Sequence, residues 1–141
     1  MRFSDLKGKK AVSTHTADTV GKVSGFLLDP ATRTVAALSF KKTGGGKYAA
    51  WSDLTGVGVD AVTMPDTTAI VESGPAVDAL TGKEHAVLKK RVLSTAGDDL
   101  GKVKDIDFDA DTGELRYLLV DKTEIAGSRL RGVGSYAVVV D

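Results

Sequence analysis

Asp105, Asp107, Asp109, Asp111 and Glu114 fall within one short stretch, and oxygen ligands so spaced could surround a hard cation such as calcium. A calcium loop of the EF-hand type needs acids at positions 1, 3 and 5, glycine at 6 and glutamate at 12. Counted from Asp107, those last two places hold Thr112 and Leu118, so the pattern fails. An acidic strand end running into a hairpin turn accounts for these residues, and the sequence points to no metal site and no cofactor. Gly44-Gly45-Gly46-Lys47 has the look of a phosphate loop, but Lys41 stands where the first glycine is required and Tyr48 where Ser or Thr must follow the lysine. A hairpin tip is the better reading. Ser13, His15 and Asp18 lie too close along one strand and turn to form a triad, and His85, the second histidine, is remote in sequence. The expectation is that the protein is not an enzyme and has no catalytic residues.

Binding is a different matter. Lys47-Tyr48-Ala49-Ala50-Trp51 combines a cation, a tyrosine and the single tryptophan of the chain, residue types enriched where proteins grip one another. Two roles stay open for Trp51: a contact residue for a partner, or a plug at a barrel end or between two halves of the molecule. Arg129-Leu130-Arg131 is a second basic stretch. Lys47, Tyr48, Trp51, Arg129 and Arg131 are therefore the candidate partner-binding residues.

The elements that position these residues occur twice. Residues 9–40 lie over 89–120 without a gap at an offset of 80, and ten positions are identical, among them Lys9/Lys89, Val12/Val92, Gly21/Gly101, Val23/Val103, Asp29/Asp109 and Leu38/Leu118. About two identities would arise by chance from average residue usage. A second block, 56–64 over 132–140, repeats at an offset of 76, which places a four-residue deletion near residues 122–127 and pairs Trp51 with Gly127. An internal duplication of this kind decides the architecture before any local reading.

Each copy reads as short strands separated by turns. In the long strands, Val20, Val23, Phe26, Leu28 and Leu100, Val103, Ile106, Phe108 break strict alternation in the same way. A bulge or sharp bend is therefore expected near residues 24–25 and 104–105. DPATRT (29–34) and DADTGE (109–114) read as hairpin turns. Five or six short antiparallel strands per copy, with glycines at the corners, predict an all-β fold of two tandem small barrels. The predicted division is 1–66 for repeat 1, 67–88 for a connector with an extra strand at 69–72 and a short helix begun by Pro75, and 89–141 for repeat 2.

Units this small bury proportionally little surface, and a chain without cysteine has no disulfide to help. The halves are expected to share a core with each other, or with a second chain in a homodimer. With 19 basic and 19 acidic residues the net charge is zero, which argues against a general phosphate-binding role. Residues 1–66 carry nine Lys/Arg against six Asp/Glu (+3), and residues 67–141 ten against thirteen (−3). No apolar run of membrane-spanning length and no signal-peptide core is present, so the expected compartment is the cytoplasm.

Gly101-Lys102-Val103-Lys104-Asp105-Ile106, Asp109, Thr112-Gly113, Tyr117-Leu118-Leu119-Val120 and Gly134 resemble the recurring pattern of the PRC-barrel family. That family includes the cytoplasmic domain of the photosynthetic reaction-centre H subunit and the C-terminal domain of a bacterial 16S ribosomal RNA maturation factor. The first copy fits more loosely, with Gly25, Pro30 and Arg33 where Asp105, Ala110 and Gly113 stand. The resemblance implies two PRC-type β-barrels acting mainly through protein–protein contacts. The leading expectation is a non-enzymatic adaptor. A module binding a small ligand or RNA on the barrel surface is the alternative, for which 6% aromatic residues and neutral charge offer neither stacking platform nor basic groove.

Overall fold

The computed structural model describes residues 1–72, 74–82, 85–121 and 123–141. After a one-turn helix α1 (Phe3–Leu6) come strands β1 (Lys10–Ser13), β2 (Thr19–Asp29), β3 (Thr34–Lys41), β4 (Tyr48–Ala50), β5 (Gly56–Val57) and β6 (Ala61–Met64). A connector with helix α2 (Pro75–Asp78) leads to β7 (Arg91–Ser94), β8 (Asp99–Phe108), β9 (Leu115–Val120), β10 (Thr123–Ala126), β11 (Leu130–Val133) and β12 (Val138–Val140). The two six-stranded sheets have orders β4-β3-β2-β1-β6-β5 and β10-β9-β8-β7-β12-β11, the same arrangement built twice. The protein is all-β, two tandem small β-barrels.

One pairing in each barrel departs from the antiparallel expectation: β1 with β6, and β7 with β12, run parallel. The cause is local. A 3₁₀ turn, Trp51–Asp53 or Gly127–Arg129, carries the chain onward from β4 or β10 instead of reversing it. The β5–β6 and β11–β12 hairpins then bring their last strand back alongside the first, in the same direction.

The bulges fall where the apolar spacing predicts. The β2–β3 register shifts between Val23 and Gly25, and the β8–β9 register between Val103 and Asp105. A second pair of shifts, at Leu27/Leu28 and Asp107/Phe108, matches in the same way. These bulges let Val23, Leu28, Val103, Ile106 and Phe108 all reach the core despite their broken spacing.

The ungapped alignment fails in the first strand. Ala11 pairs with Gly21 as Val92 pairs with Gly101, and Val12 pairs with Thr63 as Leu93 pairs with Val139. The structural offset in β1/β7 is therefore 81 (92 − 11), and the buried equivalent of Val92 is Ala11, not Val12. The extra residue sits in the following turn, which closes from Ser13 to Asp18 in repeat 1 and from Ser94 to Asp98 in repeat 2. The four-residue difference lies between β3 and β4, where residues 41–46 correspond to 121–122. Gly21 and Gly101 share one ladder position, yet only Gly101 has a left-handed backbone, φ +110°. The expected connector strand reduces to a 3₁₀ turn, Thr67–Ala69, and one bridge from Val71 to Tyr48.

The buried side chains of both sheets form one cluster, from Phe3 and Leu6 through Val23, Leu38 and Phe40 to Ile106, Phe108, Leu118 and Val138. The segment before β1 belongs to that union. The Phe108 amide donates to the Met1 carbonyl at 2.8 Å, and Phe3 meets Phe26 edge-on at 4.8 Å between ring centroids. Asp105, 9% exposed, accepts the Ser4 amide at 3.1 Å and the Ile106 amide at 2.8 Å. It therefore anchors α1 to the bulge of the other barrel. Hydrogen bonds to a charged acceptor contribute about 1.5–3 kcal/mol, so Asp105→Ala should lower unfolding stability by about that amount. Asp105→Asn keeps an acceptor oxygen and should lose less. Urea denaturation of both variants checks the order.

Candidate functional site

The junction between the barrels is built around the two hairpin turns. Thr34 forms a bridge with Glu114, its own equivalent at offset 80. The Val35 amide donates to the Gly113 carbonyl and the Leu115 amide to the Arg33 carbonyl, both at 2.8 Å. Arg33 corresponds to Gly113 and Val35 to Leu115, so exchanging the two repeats maps each bond onto the other. The barrels are related by a pseudo-two-fold axis through the Thr34–Glu114 pair.

Trp51 works at this seam. Leaving β4, it starts the 3₁₀ turn of repeat 1 and lies half-buried across the 109–114 hairpin of repeat 2. Its ring meets Phe108 edge-on, 5.7 Å between centroids at 88°, and its Nε1 donates weakly to the Asp111 carbonyl at 3.4 Å. A Cβ at Gly113 would stand 3.1 Å from the indole, so glycine makes room for the ring. Gly113 also has φ +78°. On the far side of the axis the large residue comes from the hairpin instead. Arg33 Nε donates to the Leu130 carbonyl at 3.0 Å, beside the 3₁₀ turn that begins with Gly127. A Cβ on Gly127 would collide with the Leu115 carbonyl. Trp51 over Gly113 is thus answered across the axis by Arg33 bonded to Leu130, just after the turn that Gly127 begins.

The other sequence candidates are not gathered round Trp51. Lys47 lies exposed with its ammonium 5.8 Å from the Tyr48 ring centroid. The Tyr48 main chain exchanges hydrogen bonds with Val71, 2.9 Å from its amide and 2.6 Å to its carbonyl. Arg131 clasps the Asp141 carboxylate through Nε and Nη2, and Arg129 donates to the Asp141 carbonyl. These arginines hold the Asp141 carboxyl below its ordinary value, the Arg131 hydrogen bonds contributing most.

The acidic run is turn architecture. Asp109 Oδ1 accepts the amides of Asp111 and Thr112 at 2.8 and 3.2 Å, and these bonds lower its pKa. Asp29 receives the Ala31 amide in the same way. No group of three or more His, Cys, Asp or Glu close enough to hold an ion occurs among the described residues. Ser13, buried, donates to the Pro65 carbonyl at 2.9 Å and accepts the His15 and Thr16 amides at 3.2 Å. Its hydroxyl is committed to closing a turn.

One surface escaped the sequence reading. Leu93, Val133, Ala137 and Val139 line an open depression of about 460 Å³ beside Tyr136, which is 74% exposed on the β11–β12 turn. Asp60 occupies the Tyr136 position in repeat 1 at offset 76. Tyr136, like Trp51, is a large residue present in one copy alone.

Residues 85–139, which span β7 to the middle of β12, match the family model described as PRC-barrel domain. No curated protein matches the chain. Among the described residues, no helix is long and apolar enough to cross a membrane.

Two outcomes follow for the seam and its turns. Trp51→Ala should lower stability by about 2–4 kcal/mol, the range for removing a large core side chain reduced for partial exposure. Urea unfolding followed by circular dichroism measures it. Asp109 has a folded pKa below its ordinary 3.8. Its contribution is therefore present above that value and is lost as pH falls through the folded one. Asp109→Ala should thus lose stability at neutral pH yet show a flatter decline on acidification, as melting curves from pH 7 to 2 would record.

Proposed function

We propose that the chain is a non-enzymatic adaptor of two PRC-type barrels that recognises another protein through its surface. The carrying observation is the apolar depression beside Tyr136. An exposed tyrosine next to Leu93, Val133, Ala137 and Val139 offers a rigid aromatic anchor and a desolvatable floor, the composition on which protein–protein binding energy concentrates. The family match to residues 85–139 supports the second barrel as such a module, and the repeated strand order and bulges support assigning the first to the same type. None of Lys47, Tyr48, Arg129 and Arg131 lines the depression; in this reading they are further contacts on the surface, and Trp51 holds the two barrels together at the seam. A cytoplasmic location and self-association belong to the same proposal.

Affinity capture of the tagged protein from its host, with mass spectrometry of what co-purifies, tests the reading. Tyr136→Ala should abolish recovery of a specific partner. Because surface substitutions usually change stability by less than about 0.5 kcal/mol, it should leave the melting temperature nearly unchanged. A partner retained by the variant would move the binding surface elsewhere. A salt-sensitive mobility shift with RNA would replace the adaptor reading with a nucleic-acid one.

A further inference from the structure

The two barrels differ at one sheet edge. In repeat 1 the outer edge of β4 is covered by the chain's own connector: Val71 exchanges main-chain hydrogen bonds with Tyr48, and its carbonyl also accepts the Lys47 amide at 3.0 Å. Ile70, next in the connector, is buried, and it shares with Val20 the lining of one depression. Repeat 2 has the same edge at β10, where Glu124 corresponds to Tyr48 and Thr123 to Lys47.

The direction of the Glu124 main chain follows from the ladder. Val103 exchanges hydrogen bonds with Lys89 and Lys90 on the β7 side, as Val23 does with Gly8 and Lys9. Its neighbour Val120 therefore faces β10 through Thr123, as Phe40 faces Lys47 at 2.7 Å. Alternation then turns the N–H and C=O of Glu124 outward. Among the described residues nothing pairs with them. The apolar cover is missing too: Leu100, the counterpart of Val20, is 37% exposed. The shorter β9–β10 connection provides no counterpart of Thr43–Gly45, which line the depression in repeat 1.

We infer that the β10 edge with Leu100 is a docking site for an extended segment of a partner protein, added antiparallel as a further strand. The segment carries two consecutive β-branched aliphatic residues equivalent to Ile70–Val71. One residue exchanges main-chain hydrogen bonds with Glu124, and the preceding side chain covers Leu100. The pattern is strand addition, with main-chain bonds giving affinity and a side-chain pocket giving selectivity. Repeat 1 supplies the template in its own Tyr48–Val71 bridge. The inference rests on the adaptor reading and names the kind of segment that the adaptor takes.

The probe is a synthetic peptide of residues 65–72, titrated into the isotope-labelled full chain and followed by amide chemical shifts. Saturable shifts centred on Thr123, Glu124 and Leu100 are expected. A peptide with Val71→Pro lacks the N–H that faces Glu124 and should bind about tenfold more weakly, as loss of one main-chain hydrogen bond implies. Leu100→Glu in the protein, a change at an exposed position, should weaken the parent peptide comparably. Absence of shifts at these residues up to about 1 mM peptide, or equal binding by the proline peptide, overturns the proposal. The two readings fail separately. A captured partner retained by Leu100→Glu sinks the edge site and leaves the adaptor standing. Peptide binding without any captured partner does the reverse.

Discussion

The pair of main-chain hydrogen bonds around Thr34 and Glu114 is the constraint from which the rest of the molecule follows. Two hairpin turns that would otherwise project into solvent are paired with each other. Because the bonded residues are equivalents, the bridge forces the barrels into pseudo-two-fold relation, as in an isologous dimer interface. That relation brings the 3₁₀ turn of each barrel over the hairpin of the other. It also aligns the two interiors so that Phe3, Phe26 and Phe108 join one apolar cluster. Charge has little part in this. The division of +3 and −3 between the halves appears across the seam as the exposed Arg2–Glu124 pair at 3.8 Å, and such pairs contribute little in water.

A duplicated chain in one polypeptide is free to break its symmetry, and the seam shows how. If both copies carried tryptophan on the 3₁₀ turn, both would also need glycine at the hairpin. Here Trp51 of one barrel lies over Gly113 on one side of the axis, and on the other Arg33 reaches the Leu130 carbonyl while Gly127 makes room for Leu115. The large side chain thus comes from the 3₁₀ turn on one side of the axis and from the hairpin on the other. Of the three places where the first copy departs from the second in the family pattern, Arg33 in place of Gly113 belongs to this asymmetry.

What could be read from the sequence follows the range of the interaction. Turns and bulges are local, so the spacing of Val20, Val23, Phe26 and Leu28 was enough to place them. Register was legible only where the repeat had no competing solution. In β1, Lys9 and Lys10 allow Lys9 to match either Lys89 or Lys90, and Val12 matches Val92 by identity. The alignment therefore chose identities over the one-residue insertion in the next turn. The parallel β1–β6 pairing depends on the direction in which a three-residue turn leaves a barrel, which no periodicity records. Trp51 and Phe108 are 57 positions apart (108 − 51), so the seam role of Trp51 could be named as one of two options but not chosen. Tyr136 stands opposite Asp60 as Trp51 stands opposite Gly127, so the sequence marks it by the same contrast between copies, while the depression beside it is formed by β7, β11 and β12 together.

The path of the chain adds a further consequence. Residues 1–6 precede the first barrel in sequence but pack on β8, so Phe108 has two neighbours from the first half of the chain: Met1 through the backbone and Trp51 through the ring. Contacts of that sequence separation carry a large loop-closure cost that is recovered only when both partners are in place. The first barrel therefore lacks part of its apolar cover until β8 has formed, and the second lacks Trp51 and α1 without the first. Units of this size bury too small a share of their surface to be indifferent to such losses. Cooperativity between the barrels is thus set by where the chain crosses the axis, not by the strength of either sheet. The duplication supplies two similar halves, and the crossings at residues 1–6 and 51 make them one folding unit.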